Sequence, residues 1–126
     1  MEVSIATRNA SIDAANELLN SGTLEIRTGT PAAIGSAPTG TVLATFTIGA
    51  TAFNAAASGS STAILPSDAT ASATGTAGHY VAKNSGGTAQ RAGVVGVELT
   101  INNASITSGD TVSLTAWSFA QPAGSN

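Results

Sequence analysis

The chain contains a single histidine, His79, which lies next to Tyr80. An imidazole can act as a general base or bind a metal ion. Both roles need partners, and the nearest acid in sequence is Asp68, with no second histidine and no cysteine to complete a zinc site. The pattern therefore favours a strand residue close to a hairpin. A small hydrolase would require an acidic pair folded against His79.

Carboxylates are the other groups that could perform acid-base chemistry, and there are seven of them. Their spacing indicates structural roles: some lie near the predicted helix, some on the polar faces of strands and some in turns, where Asp bonds to its own backbone. No acidic ladder matches a calcium-binding loop. The seven residues are Glu2, Asp13, Glu17, Glu25, Asp68, Glu98 and Asp110.

The serines are numerous, but none lies in a Gly-x-Ser-x-Gly sequence, and no glycine-rich phosphate-binding motif is present. These absences, together with the lone histidine, give enzymatic chemistry no positive support. We therefore expect a protein that is not an enzyme and needs no cofactor or metal.

Aromatic side chains could instead bind a ligand, since their faces stack on sugars. Trp117, Phe119 and Tyr80 are three of only five aromatic residues in the chain. Trp117 and Phe119 share one face of a predicted strand, which is equally typical of a core or of a subunit interface. The sequence leaves these alternatives open.

Composition excludes several classes of partner. Ala, Thr, Ser and Gly fill 72 of the 126 positions, and the four basic residues leave a net charge of −3. Nucleic acid binding needs many phosphate contacts, so we expect none here. No apolar run is long enough to span a membrane, and no secretory signal is visible at the N-terminus. The lack of cysteine is compatible with assembly in a reducing cytoplasm.

One helix is predicted, over residues 7–20. Apolar residues with helical spacing form a narrow stripe that includes Ile12 and Leu19, and Thr7 or Asn9 could cap the start. Gly22 is a candidate for the left-handed position that ends the helix.

Beyond Gly22 the hydrophobic period changes from helical to two, which predicts half-buried antiparallel strands. In the last segment, Val112, Leu114 and Ala116 alternate with Ser113, Thr115 and Trp117. The four clean alternations are Thr23–Thr28, Thr41–Ile48, Val97–Asn102 and Thr111–Phe119.

Turn residues mark the connections. Asn84-Ser85-Gly86-Gly87 predicts a hairpin between His79–Lys83 and Thr88–Val95, and Ser108-Gly109-Asp110 predicts a hairpin or corner. Residues 49–78 are the least regular, with weak strands expected at Ala52–Ala56 and Thr62–Leu65. We expect an all-β chain: one antiparallel β-sandwich domain over residues 1–126, with about eight strands, one short helix, and terminal arms at 1–6 and 120–126.

The order of these segments resembles a known family. The helix ends in Leu18-Leu19-Asn20-Ser21-Gly22 and runs into Thr23-Leu24-Glu25-Ile26-Arg27-Thr28-Gly29-Thr30; Gly40–Phe46, Ala52-Phe53, Ser67-Asp68 and Ala73–Ala77 follow. The chain closes with Leu99–Ile106, Ser108-Gly109 and Val112-Ser113-Leu114. Over about residues 7–119 this pattern is similar to small virion proteins of tailed bacteriophages, in particular capsid decoration (cement) proteins.

The resemblance implies a jelly-roll-like sandwich that binds the outside of a capsid shell and bridges major capsid subunits. It implies the major capsid protein and further copies of the chain, as a homodimer or homotrimer, as partners, and the capsid surface of the virion as location, after assembly in the bacterial host cytoplasm. The alternative is a tail, baseplate or fibre module that binds a receptor or carbohydrate.

Contact with partners is expected at the ends and loops of the chain. These segments are Met1–Arg8, Ile34–Gly40, residues 49–78 and Gln121–Asn126. The candidate interface residues are Trp117, Phe119, Tyr80, Phe53 and Ile34.

Overall fold

The computed structural model describes residues 4–33 and 35–120, in which one helix precedes eleven strands. Four of the strands have only two residues. The elements are α1 (Ile5–Glu17), β1 (Thr23–Arg27), β2 (Val42–Thr47), β3 (Ser60–Thr62), β4 (Ala69–Thr70), β5 (Gly75–Thr76), β6 (His79–Lys83), β7 (Ala89–Val94), β8 (Leu99–Ile101), β9 (Ser105–Ile106), β10 (Thr111–Val112) and β11 (Leu114–Ala120).

Helix α1 begins earlier than predicted because Ser4, rather than Thr7 or Asn9, is its N-cap. The Ser4 side chain accepts a hydrogen bond from the backbone N–H of Thr7 at 3.1 Å, which satisfies one of the free donors of the first turn. The helix ends at Glu17. The left-handed conformation past its end falls on Ser21 (φ 59°), not on Gly22 as predicted.

Gly22 instead permits a close approach of two backbone segments. A Cβ atom at this position would lie 1.9 Å from the carbonyl oxygen of Lys83, at the end of β6. The carbonyl of Gly22 also accepts a hydrogen bond from Ile48 N–H. This glycine therefore brings the end of the helix against the largest sheet.

That sheet has four antiparallel strands in the order β2-β1-β6-β7. The predicted hairpin between β6 and β7 is confirmed, and the Asn84 side chain stabilises its turn by accepting hydrogen bonds from Gly86 and Thr88. On the outer face, Glu25 forms ion pairs with Arg27 (2.8 Å) and Lys83 (3.2 Å). The inner face buries Leu24, Ile26, Ala44, Phe46, Tyr80 and Ala82.

A second sheet has the order β3-β11-β8. The register between β11 and β8 shifts between Leu114 and Ala116, which marks a β-bulge on β11. The bulge interrupts the predicted alternation, because Ala116 is exposed while Trp117 is buried together with Leu114. One extra residue thus turns Trp117 toward the core.

The region 49–78 forms short pairings rather than long strands. Phe53 bridges Ala63 and Ala57 bridges Ser60, so the two weak strands expected here are reduced to isolated bridges and β3. Two further pairs, β10 with β4 and β5 with β9, fasten the region to the C-terminal part of the chain. Ser108-Gly109-Asp110 is therefore a corner, since β9 and β10 pair with different strands.

All ladders between these strands are antiparallel, so the mostly β, antiparallel class with one helix is confirmed. The predicted arms are shorter within the described residues. Ile5 and Ala6 belong to α1, and Ala120 belongs to β11, while Met1–Val3 and Gln121–Asn126 lie outside those residues.

The approach at Gly22 is tested by comparing Gly22→Ala with Gly49→Ala. Neither position has a positive φ, and a Cβ at Gly49 meets no atom within 4 Å. We expect Gly22→Ala to lower the free energy of unfolding by about 1–3 kcal/mol, and Gly49→Ala to change it by less than about 1 kcal/mol. Urea unfolding followed by Trp117 fluorescence measures both. Equal stability of the two variants would contradict the close contact with Lys83.

Candidate functional site

His79 is fully buried on β6, where it has a structural partner. Its Nδ1 lies 3.1 Å from the carbonyl oxygen of Gly29, so the tautomer protonated on Nδ1 donates to that oxygen. Its Nε2 is buried and meets no hydrogen-bond partner among the described residues. No carboxylate bonds to the ring in this part of the chain, so the acidic pair that a hydrolase would require is not found there.

Most of the described carboxylates hold the fold together. Asp13 Oδ1 accepts from the backbone N–H of Ala56 at 2.8 Å, and Asp110 Oδ2 accepts from Thr107 N–H at 2.9 Å. Glu25 binds Arg27 and Lys83, as described above. Within residues 4–33 and 35–120, no group of three or more acidic or histidine side chains is placed to hold a metal ion.

A cavity lies between α1 and the segment that follows β2. Its volume is about 370 Å³. Carboxylates and carboxamides could bind hydroxyl groups here, but the Oδ1 atoms of Asp13 and Asn20 already accept from the backbone of residues 56 and 52. Phe53 is 6% exposed and offers no open face for stacking. The lining residues are Asp13, Asn16, Glu17, Asn20, Thr51, Phe53, Asn54 and Ala55.

The aromatic candidates lie in the core. Trp117, Tyr80 and Phe53 are 2%, 0% and 6% exposed. The Trp117 ring packs edge-to-face on Phe53 at 4.8 Å and on Tyr80 at 5.9 Å between centroids. Their side chains therefore serve the interior of this chain and leave no aromatic surface for a sugar. Phe119 is partly buried, and Ile34 lies outside the described residues.

Arg91, on β7, completes this cluster and was not singled out by the sequence. Its guanidinium carbon lies 3.9 Å from the centroid of Phe119 and 5.2 Å from that of Phe53. Arg91 Nη2 donates to Asn16 Oδ1 at 3.0 Å. The sequence feature that could have indicated this role of Arg91 is its position as a lone basic residue among the small residues of Ala89–Val94.

Asn16 extends the contact to the helix. It is 4% exposed, and its Nδ2 donates to the Oγ of Ser61, on β3, at 2.8 Å. The chain of contacts from Phe119 through Arg91 and Asn16 to Ser61 thus joins β11, β7, α1 and β3. Arg91 Nη2, Asn16 and Ser61 bind one another in this arrangement, whereas Arg91 Nη1 is buried and has no hydrogen-bond partner among the described residues.

Burial controls the electrostatics of the cluster. Burial lowers the pKa of the Arg91 guanidinium below its usual value, and the nearby Tyr80 and Glu98 oppose this change. Burial also raises the pKa of Tyr80 above 10.0, and the negative charge of Glu98 adds to the rise. The Tyr80 hydroxyl donates to Glu98 Oε2 over a long 3.4 Å.

Tyr80 is the only tyrosine, so its ionisation can be followed directly by ultraviolet absorbance. We expect the folded protein to form tyrosinate above pH 10, and the urea-unfolded chain to do so near pH 10. The contribution of Tyr80 to the free energy of unfolding is fully present below the pKa of this residue in the unfolded chain. It is lost as the pH rises toward the pKa of Tyr80 in the folded protein. A titration of the folded protein that coincides with that of the unfolded chain would contradict the buried site.

Replacing Arg91 tests the structural contact. Arg91→Met keeps much of the length but removes the stacking and leaves Asn16 Oδ1 without its donor, so we expect a loss of about 1–3 kcal/mol in unfolding free energy. Arg91→Lys keeps the charge but lacks the planar group, and we expect a loss there too. Chemical denaturation measures both. Wild-type stability of Arg91→Met would show that the stack contributes nothing.

The helix of the chain and its similarity to known proteins also bear on function. No helix in the described residues is long and apolar enough to cross a membrane. Protein-family models, curated protein sequences and solved structures give no match to this chain.

Proposed function

We propose that the chain is a structural virion protein of a tailed bacteriophage, a decoration protein that binds the outer capsid shell and stabilises it by bridging major capsid subunits. It acts by binding, without turnover. The observation that carries this proposal is a surface with few charges on which large apolar side chains are exposed. Those side chains are Ile5, Leu18, Ile64, Leu65, Val94 and Val97.

The exposure of these residues is large enough to matter for binding. Val97 is 75% exposed, and Ile5 and Leu18 are each 53% exposed. Covering such side chains with another protein is favourable by roughly 25 cal/mol per Å² of apolar surface. A surface poor in charge also loses little hydration energy when a neighbour covers it. Both properties suit a protein that works in a lattice.

The loops expected to make contacts support the same role. Residues 35–40 are all exposed, and so is most of 54–58. Small Ala, Ser, Thr and Gly residues in these loops lose little side-chain entropy when a partner orders them. The polar groups that could do chemistry, in contrast, are used within the fold, as His79 and Asp13 illustrate.

We also propose that the two larger sheets are the layers of a jelly-roll-like β-sandwich. The contact of Trp117, on β11, with Tyr80, on β6, supports this arrangement because it joins the inner faces of both sheets. A sandwich presents two broad outer faces and a set of end loops, which is a suitable shape for bridging several capsid subunits.

Heat resistance of the particle tests the function. We expect particles that lack the protein to release their DNA at a lower temperature, and in the presence of chelators more readily, than complete particles. Adding the purified protein back should restore the resistance. Particles that are equally resistant with and without the protein would rule out the cement role.

Substitutions at the exposed apolar positions identify the surface that contacts the capsid. We expect Asp at one or more of the exposed apolar positions, such as Leu18 or Leu65, to lower the number of copies bound to stripped particles at least about tenfold, since a buried unpaired charge costs more than 1.4 kcal/mol. Ser85→Asp, at an exposed turn, is the control and should bind as the wild type does. A cryo-electron map then decides location: hundreds of copies on the shell support the proposal, whereas a few copies on the tail favour the receptor-binding alternative.

A further inference from the structure

Strand β7 is an open edge of the four-stranded sheet. It pairs with β6 on one side only. In an antiparallel ladder, alternate residues of an edge strand direct their N–H and C=O groups away from the sheet. Among the described residues, no backbone or side-chain group bonds to these outward groups of Ala89–Val94.

The opposite edge of the sheet is partly covered. Ser72 N–H donates to the carbonyl of Leu43, on β2, at 2.8 Å, and the Ser72 hydroxyl lies 3.5 Å from the same carbonyl oxygen. Strands β3 and β8 are also edges, but each has only three residues. The six-residue β7 is thus the long open edge of the part of the chain that the structure describes.

The part of β7 from Arg91 to Val94 lacks most of the usual protection of an edge strand, because the register shift in its ladder with β6 lies before this part, at Gln90. Such strands are commonly shielded by outward charges, by proline or by a bulge that twists the edge away. Here the sequence is Ala-Gln-Arg-Ala-Gly-Val, without proline, and the one charge is withdrawn inward. Arg91 is held on the inner face by Phe119 and Asn16, as described above. Val94, 49% exposed, and Val97, 75% exposed, add apolar surface beside the end of the strand.

We propose that β7 pairs with β7 of a second copy of this chain, antiparallel and about a two-fold axis at Ala92, to form one continuous eight-stranded sheet. The pairing of β7 with β6 determines which residues of β7 direct their backbone N–H and C=O groups outward. The N–H of Val95 bonds to Gly78, on the β6 side, so Gly93 and Arg91 also face β6. Ala92 and Val94 therefore face outward, and Gln90 is the extra residue where the register with β6 shifts.

A second copy fits this edge because the strand is compatible with itself. With the axis at Ala92, that residue lies opposite its own copy and Gln90 lies opposite Val94. Arg91 then lies opposite Gly93, so the two positive charges are not directly opposed, as they would be with the axis at Arg91. A two-fold pairing uses the same patch on both copies and closes on itself, which prevents open-ended growth. The inference deepens the proposed function, on which it rests, by naming the interface for the self-association that the sequence resemblance implies.

Cysteine cross-linking tests the pairing without interference from other thiols, because the chain contains no cysteine. Cα atoms of directly hydrogen-bonded antiparallel residues lie about 5.5 Å apart, which a disulfide can span. We therefore expect Ala92→Cys to form disulfide-linked dimers on mild oxidation, at least about tenfold faster than the exposed control Ser85→Cys. Equal rates for the two variants would overturn the pairing at Ala92.

Light scattering of the purified protein over a range of concentrations tests the dimer itself. We expect the wild type to be dimeric. Val94→Pro, which removes an outward N–H from each copy, should weaken the dimer about tenfold or more, whereas Val94→Ala, which keeps the N–H, should weaken it less. Trp117 fluorescence checks that each variant is folded. Should Val94→Pro fail to fold, the cross-linking result decides.

The two proposals fail separately. A monomeric wild-type protein, or a dimer that Val94→Pro leaves intact while folded, would overturn strand pairing at β7. Neither result would affect the heat resistance of complete particles, which tests the capsid role. Conversely, a dimer built on β7 in a protein that binds no capsid would keep this inference and remove the proposed function.

Discussion

The fold depends on the contact of Trp117 with Tyr80 and Phe53. The chain has only five aromatic residues and a large excess of small ones, so few side chains can span the space between two sheets. Three of the five meet here, with centroid distances of 4.8 and 5.9 Å, and the Arg91 guanidinium lies over the Phe53 ring at the edge of the group. Edge-to-face pairs of this kind add to the energy gained by burial alone. The rest of the core consists of Phe46 and of Leu, Ile, Val and Ala residues packed around them.

The distribution of charge complements this interior. Eleven charged side chains serve 126 residues, and several are occupied with each other or with the backbone, as in the Glu25 ion pairs with Arg27 and Lys83. Little charge is left to repel another protein. The surface is mostly hydroxyl, amide and aliphatic, with a few exposed carboxylates such as Glu17 and Asp68. The small number of charged side chains therefore affects both the interior and the surface of the molecule.

Local patterns predicted the regular parts of the fold well. The alternation of Leu24 and Ile26 marked the inner face of β1, and the Asn84 turn marked the β6–β7 hairpin. Features that depend on distant contacts could not be read in this way. The place of Trp117 in the core or at an interface stayed open because one extra residue in the ladder changes the period. Arg91 was overlooked because its partners Phe119 and Asn16 are far away in sequence. The helix starts after Ser4 and not after the predicted caps Thr7 or Asn9, because several residues in this segment are able to cap a helix.

The bulge at Thr115 and Ala116 also bears on how the length of this strand could change in evolution. In a regular strand, the loss of one residue moves every following side chain to the opposite face and exposes the core. In β11, removing one of these two exposed residues would convert the bulge into simple alternation and leave Leu114 and Trp117 both facing inward. Related chains that are one residue shorter at this point could therefore keep the same interior. The irregularity gives the strand a place where a single-residue deletion does little harm.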